Sequence, residues 1–339
     1  MLIDSLILAS SFVVILVGSE LFTNGVEWLG ERFGVAEAAV GSLLAAVGTA
    51  LPETFIPLIA LVAGRGHGGA HSAVGVGAII GAPLMLSTVA MLVMAVACLV
   101  FRKGRGRIAL IVFREHTRRD LLFFIPVFLG VTLVGVAKTD AVIRRAIAIT
   151  LLVVYAAYSV VLLRIRRGTE AVVEQGLYLE TAIAGTPLRP RTTPIIVQVI
   201  LALVAILFGA REFVDQIVKV STRAQLNPGI LSLILSPLAT ELPEKYNSVV
   251  WIRQRKDHLA MANISGAMVF QSCIPVALGL IFTPWRLTPA EILASTVALG
   301  SSSLLYINLR DGEVGTPTLI TGGAAYVIFL IGLWMLGAF

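Results

Sequence analysis

Two glutamates, each preceded by Leu-Pro, stand deep inside apolar sequence. One ends the run Gly48-Thr49-Ala50-Leu51-Pro52-Glu53, the other Ala239-Thr240-Glu241-Leu242-Pro243-Glu244. A carboxylate near the middle of a bilayer costs roughly 2.5–3.5 kcal/mol on the lenient insertion scale, so it marks function by default. The proline donates no hydrogen bond and presses on the carbonyl four residues back. That predicts a helix break at each site and frees the carbonyls of Gly48 and Ala239 beside the carboxylates. An interrupted helix, a free carbonyl and a buried carboxylate together make a cation site.

The donor types select the class of ion. A hard divalent cation such as Ca²⁺ takes about 6–8 oxygen ligands. Thr49 and Glu53 lie four apart, on one helix face, as do Thr240 and Glu244. Glu53 and Glu244 are the expected primary ligands, and Thr49 and Thr240 add hydroxyl or carbonyl oxygens. Glu241 supplies another carboxylate and Gln271 an amide oxygen. Asn263, Asn247 and Ser248 are further polar candidates nearby. Mg²⁺, Mn²⁺ and K⁺ fit the same donor chemistry. No Cys or His cluster at that depth suits a softer metal. Cys98 and Cys273 read as small apolar core residues, and Gly75-Val76-Gly77 opens no strand–helix unit that would cradle a nucleotide. The competing view makes the glutamates structural, paired elsewhere in the bundle.

These residues must be held by membrane helices. Of the 339 residues, 57% are hydrophobic and 14% charged. A span needs about 20 apolar residues, and ten segments qualify: 3–27, 36–63, 72–101, 121–137, 146–164, 194–218, 228–252, 258–283, 289–309 and 317–338. The expected fold is therefore an all-α polytopic membrane protein of about ten transmembrane helices. The first apolar run is too long for a signal peptide and lacks a basic leader, so it reads as a retained span. The formal net charge of +6 reflects topology rather than nucleic-acid binding. If the loops alternate, seventeen of the 26 Lys and Arg fall on one side, including the run Arg102 to Arg119. That side is expected to be cytoplasmic, with both termini outside and the plasma membrane as location. The same basic run suits anionic lipid.

The chain also repeats itself. At an offset of 191, Ile15-Leu16-Val17-Gly18 meets Ile206-Leu207-Phe208-Gly209, and Thr49, Pro52 and Glu53 meet Thr240, Pro243 and Glu244. At an offset of 185, Gly81-Ala82 meets Gly266-Ala267. Five spans per half mean that the second half enters from the opposite side, so the repeats are inverted. The expected domains are 1–164 and 194–339, two five-helix repeats, joined by a polar cytoplasmic linker, 165–193.

The two Leu-Pro-Glu segments resemble the Gly-Thr-Ser-Leu-Pro-Glu-type motifs of the cation/calcium antiporter superfamily, which includes the sodium/calcium exchangers. Gly81-Ala82-Pro83-Leu84-Met85-Leu86 and Gly266-Ala267-Met268-Val269-Phe270-Gln271 stand where the family carries Gly-Ser-Asn-x-Phe-Asn-type motifs. The resemblance implies ten helices, outward termini and a central site exchanging Ca²⁺ for Na⁺, or for H⁺ in some branches. The chain departs from the pattern at Ala50, where the family has Ser, at Leu86, where it has Asn, and at Gln271, where it has Asn or Asp. Glu241 replaces the second Ser, and Lys245 adds an ammonium beside Glu244. Lys245 either pairs with Glu241 as a fixed cation or snorkels to an interface. Glu20 and Arg211, aligned in the first and sixth spans, are expected to pair across the repeat axis. His67 and His71 read as surface-loop residues.

The function expected is secondary active antiport of Ca²⁺ against Na⁺ by alternating access at the carboxylate site. The alternative is Ca²⁺/H⁺ antiport with the same glutamates carrying protons. The inverted repeat argues against a channel, and no motif supports a membrane enzyme. No cofactor is expected beyond the transported ions Ca²⁺ and Na⁺ (or H⁺). The partners expected are inorganic cations and the lipid bilayer, with no nucleic acid and no obligate protein partner.

Overall fold

The computed structural model describes residues 2–32, 45–63, 69–137, 139–165, 176–184, 191–309 and 312–338. Its helices are α1 (Leu2–Arg32), α2 (Ala45–Ala63), α3 (Gly69–Ser87), α4 (Val89–Val100), α5 (Arg102–Arg105), α6 (Arg114–Ala137) and α7 (Ala141–Ile165). They continue with α8 (Tyr178–Ala184), α9 (Thr192–Ala224), α10 (Pro228–Thr240), α11 (Leu242–Arg253), α12 (Asp257–Phe282), α13 (Pro289–Asn308) and α14 (Thr316–Met335). Two short strands, β1 (Leu110–Ile111) and β2 (Glu313–Val314), pair antiparallel and tie two loops together.

Eight described stretches are helical, long and apolar enough to cross a membrane. Large apolar side chains stay exposed along them, among them Val13, Val153, Val204, Phe208, Ile328 and Ile331. In water such surface would drive association; against lipid tails it carries no penalty. The two expected segments that fall short are those bearing Leu-Pro-Glu. Segment 228–252 is divided into α10 and α11 by a single non-helical residue, Glu241, as its proline predicts. Pro243 sits in the first turn of α11, where its missing N–H is not needed. In segment 36–63 the helix instead runs from Ala45 through Pro52 to Ala63, so the expected interruption there is not observed. A membrane helix absorbs a proline by local adjustment of its neighbours. The residues before Ala45 lie outside the described set.

A further interruption was not anticipated. Segment 72–101 divides at Thr88 into α3 and α4, five residues beyond Pro83. The Ser87 hydroxyl donates to the Pro83 carbonyl at 2.7 Å, and Ser301 of α13 donates to the Ser87 carbonyl at 2.5 Å. Side-chain hydroxyls thus occupy carbonyls that a broken helix leaves over.

Helices α1 and α9 pack along each other in one antiparallel register. A methyl group on Gly18 would come within 2.9 Å of Ile206, and one on Gly209 within 3.0 Å of Ile15. Both glycines let the backbones approach closely. This register separates Glu20 from Arg211. Glu20 stands opposite position 204, so Arg211 lies seven residues, roughly 10 Å, farther along the pair. The expected ion pair does not form; Glu20 instead accepts a hydrogen bond from the Tyr178 hydroxyl at 2.9 Å. Tyr178 lies outside the spans, and burial, then the adjacent carboxylate, holds its phenol above the usual range. The α1–α9 pair leans on the rest of the molecule through Ile15, Ile56, Val74, Ala78, Phe213 and Ala239, all buried. Behind that layer, α3 packs on α10, α2 on α12, α12 on α6 and α7, and α14 on α4.

Candidate ion-binding site

Glu53 projects from α2 into the layer between α2, α3 and α10, and is 5% exposed. A small cavity there is bounded by Glu53, Ile56 and Pro57 of α2, Ala78 and Ala82 of α3, and Ser236, Pro237 and Thr240 of α10. Its volume is about 10 Å³, room for roughly one water or one bare ion. Small residues on α3 make this geometry possible. A side chain at Gly77 would run into the Gly229 carbonyl, and one at Gly81 into the Leu233 carbonyl. The backbone of α10 therefore lies directly on α3. Ser232 fixes the contact by donating to the Val74 carbonyl at 2.7 Å and sharing a 2.8 Å hydrogen bond with Ser236.

Thr240 is buried, and its hydroxyl donates to the Ser236 carbonyl at 3.2 Å, which leaves oxygen lone pairs available. Glu244 is also buried, in the first turn of α11. Its carbonyl accepts from Ser248 at 2.7 Å and from Asn263 of α12 at 3.3 Å. Ser248 and Asn263 thus anchor the backbone of Glu244. Glu244, Glu241 and Lys245 all lie within electrostatic reach of Glu53. The glutamates of both Leu-Pro-Glu segments are thus buried inside the protein rather than turned to lipid.

Glu241 is fully buried at the junction of α10 and α11. The Lys245 ammonium donates to its Oε2 at 2.8 Å and to its carbonyl at 3.3 Å. Lys245 is 5% exposed, so it does not snorkel. Gln271 of α12 is buried and faces the same carboxylate. Three buried side-chain oxygens here, Glu53 Oε2, Glu241 Oε1 and Gln271 Oε1, have no hydrogen-bond partner among the described residues. Such atoms carry a desolvation cost of about 1–3 kcal/mol each unless something binds them. A cation is a group that such oxygens would accept, so the residues present fit one.

The remaining expected ligands divide. Ala239 is buried and its side chain packs with Ile56 and Phe213 in the core. Gly48 and Thr49 fall on α2 in a stretch whose side chains lie outside the described set, as does His67 altogether. His71 lies in the first turn of α3 and approaches Asp215 of α9 at 3.5 Å rather than standing in a surface loop. Among the described residues no three His, Cys, Asp or Glu side chains converge as a metal cage. The candidate site thus offers two buried carboxylates and neutral oxygens, with Oε2 of a third carboxylate, Glu241, engaged by lysine.

One buried polar cluster escaped the sequence. Asp120 of α6 accepts hydrogen bonds from Tyr158 of α7 and Ser265 of α12 and lies 3.2 Å from His116. The one signal was the His116–Asp120 spacing of four, at the rim of the fourth segment.

A model of the family described as "Sodium/calcium exchanger protein" matches residues 4–164 and 194–336. The chain belongs to the sodium/calcium exchanger family. Among similar curated proteins is the "Putative antiporter CaxA" of Alkalimonas amylolytica, 21% identical over 338 residues, covering 97% of each chain. Among solved structures, the H⁺/Ca²⁺ exchanger CAX superposes with a TM-score of 0.76 at 17% identity, over 98% of this chain and 82% of that one. The sodium-calcium exchanger NCX_Mj superposes with a TM-score of 0.60 at 18% identity, over 97% of each. These likenesses establish the fold, and the family is one of transporters rather than enzymes. This sodium/calcium exchanger family member is accordingly a multi-pass integral membrane protein of the calcium antiport class.

Proposed function

We propose that this protein exchanges Ca²⁺ for Na⁺ by alternating access at one mid-membrane site, with Glu53 and Glu244 as its principal carboxylates. The observation that supports this reading is that both glutamates, from corresponding positions of the two halves, are buried within electrostatic reach of each other, near oxygens that lack partners among the described residues. Thr240, Gln271 and water complete the oxygen set, with Thr49 and the carbonyls of Gly48 and Ala239 as further ligands. Two carboxylates hold either one divalent ion or two monovalent ones at similar net charge, which makes the ions compete.

Alternating access needs two near-equivalent halves, 1–164 and 194–339, with 165–193 linking them on the cytoplasmic side. The contacts of α1 and α9 support an inverted repeat. Gly18 meets Ile206 and Ala202, while Gly209 meets Ile15 and Ser11, the same contacts at an offset of 191 with the partners exchanged. The pairs α3–α10 and α12–α2 exchange in the same way. Ten spans, a plasma-membrane location and outward termini belong to the same reading, supported by the charge bias.

A second reading, Ca²⁺/H⁺ exchange, draws on one feature: Ala50 and Leu86 remove oxygens that a separate Na⁺ site would use. Purified protein in liposomes separates the two. Internal Na⁺ is expected to drive Ca²⁺ uptake with the pH equal on both sides. Uptake driven by a proton gradient in Na⁺-free buffer would replace the sodium version with the proton version. Absence of both fluxes would overturn antiport.

A further inference from the structure

Lys245 is the unusual member of the site. A lysine at membrane depth normally reaches for an interface, yet this one is 5% exposed and held in the protein. Its ammonium bridges two oxygens of one residue, the Glu241 carboxylate at 2.8 Å and the Glu241 carbonyl at 3.3 Å. A carboxylate oxygen and a main-chain carbonyl beside a helix interruption are the oxygens that a small monovalent ion takes. Glu241 is fully buried and separates α10 from α11, and Lys245 follows one turn later, so the tether crosses the interruption. Both charges act on Glu53.

We infer that the Lys245 ammonium is a resident cation that permanently fills a monovalent-ion position at Glu241, so that this position is not transported. This rests on the assignment of Glu53 and Glu244 to the site. With Glu241 free, three carboxylates would face the ions, and the site would load one more positive charge in each state. With Lys245 in place, Glu241 contributes no net charge, and the transported charge is set by Glu53 and Glu244. The lysine is thus a specificity-determining residue: it lowers the number of ions carried without narrowing the cavity. A methionine of similar length at 245 keeps the volume, leaves Glu241 uncompensated and reopens the position.

The test compares the full-length wild type with Lys245→Met, Glu241→Gln and the double variant, purified in detergent. Thermal midpoints are followed through tryptophan fluorescence while NaCl or CaCl₂ replaces choline chloride at constant ionic strength. Lys245→Met is expected to gain cation-dependent stabilisation, with an apparent affinity roughly tenfold tighter than wild type, the scale of one unit charge across about a nanometre of protein. The double variant, which removes both charges, is expected to return to the wild-type response. Glu241→Gln leaves the ammonium facing Glu53 and Glu244 and is expected to weaken cation binding by a similar factor. If Lys245→Met does not fold, the Glu241→Gln and double variants still decide the question, because the first must bind cations more weakly than the second. A purely structural ion pair would change the midpoints without changing their cation dependence, and that outcome overturns the inference. Adding Glu53→Gln keeps the two claims apart. If the gain in Lys245→Met persists while Glu53→Gln alters nothing, the assignment of Glu53 fails and the resident cation stands.

Discussion

At the scale of residues, the site reads as a contest between desolvation and charge. Glu53 is buried with an oxygen that no described group satisfies, a cost that a bound ion would remove. Glu53→Gln keeps the shape and removes the charge. Calcium flux in liposomes is expected to fall on the order of a hundredfold or more, since outer-shell groups alone are worth about 10–100-fold at metal sites. The thermal midpoint is expected to hold or rise, because a buried uncompensated charge is gone. Glu244→Gln should behave alike. Wild-type flux in either variant would remove that glutamate from the mechanism. The type and spacing of these residues were legible in the sequence because Leu-Pro-Glu inside apolar segments has little other physical excuse. The fate of Lys245 was not: its side chain spans the distance to an interface or to Glu241 equally well, and only packing around α11 decides.

At the scale of elements, a glycine sets how closely two helices approach. Gly81 of α3 lies against the Leu233 carbonyl of α10. Gly81→Ala is therefore expected to push α3 and α10 apart, costing about 1–3 kcal/mol, as overpacking does, and to reduce transport. A wild-type midpoint and flux in Gly81→Ala would contradict this packing. The prolines also depend on their neighbours. Pro243 accompanies a break at Glu241, while α2 runs through Pro52. The third segment breaks at Thr88, where Ser87 and Ser301 hydroxyls satisfy the backbone. A proline raises the cost of continuing a helix, but neighbouring donors decide whether the chain bends or breaks, and those neighbours are distant in sequence.

For the whole molecule, the charge distribution predicts how the protein sits in the bilayer. In a cysteine-free background, Ser5→Cys is expected to react with an impermeant maleimide from outside intact cells. Lys103→Cys is expected to react only after permeabilisation. The reverse pattern would invert the topology. Apolar content and ten segments made the membrane class and the helical fold readable from composition, because lipid leaves the backbone no other economical solution. The offset of 191 made the two halves visible as related sequence. The relation of Glu20 to Arg211 went astray for a physical reason. Aligned positions in an inverted pair coincide only at the crossing point, near Gly18 and Gly209, and diverge on either side of it. What the sequence alone determined was the kind of protein and the oxygen ligands it offers, since residue type and apolar length suffice for both. Which oxygens meet, which stay unpaired and which carboxylate the lysine occupies depended on the tertiary structure, because those are short-range contacts between segments far apart along the chain.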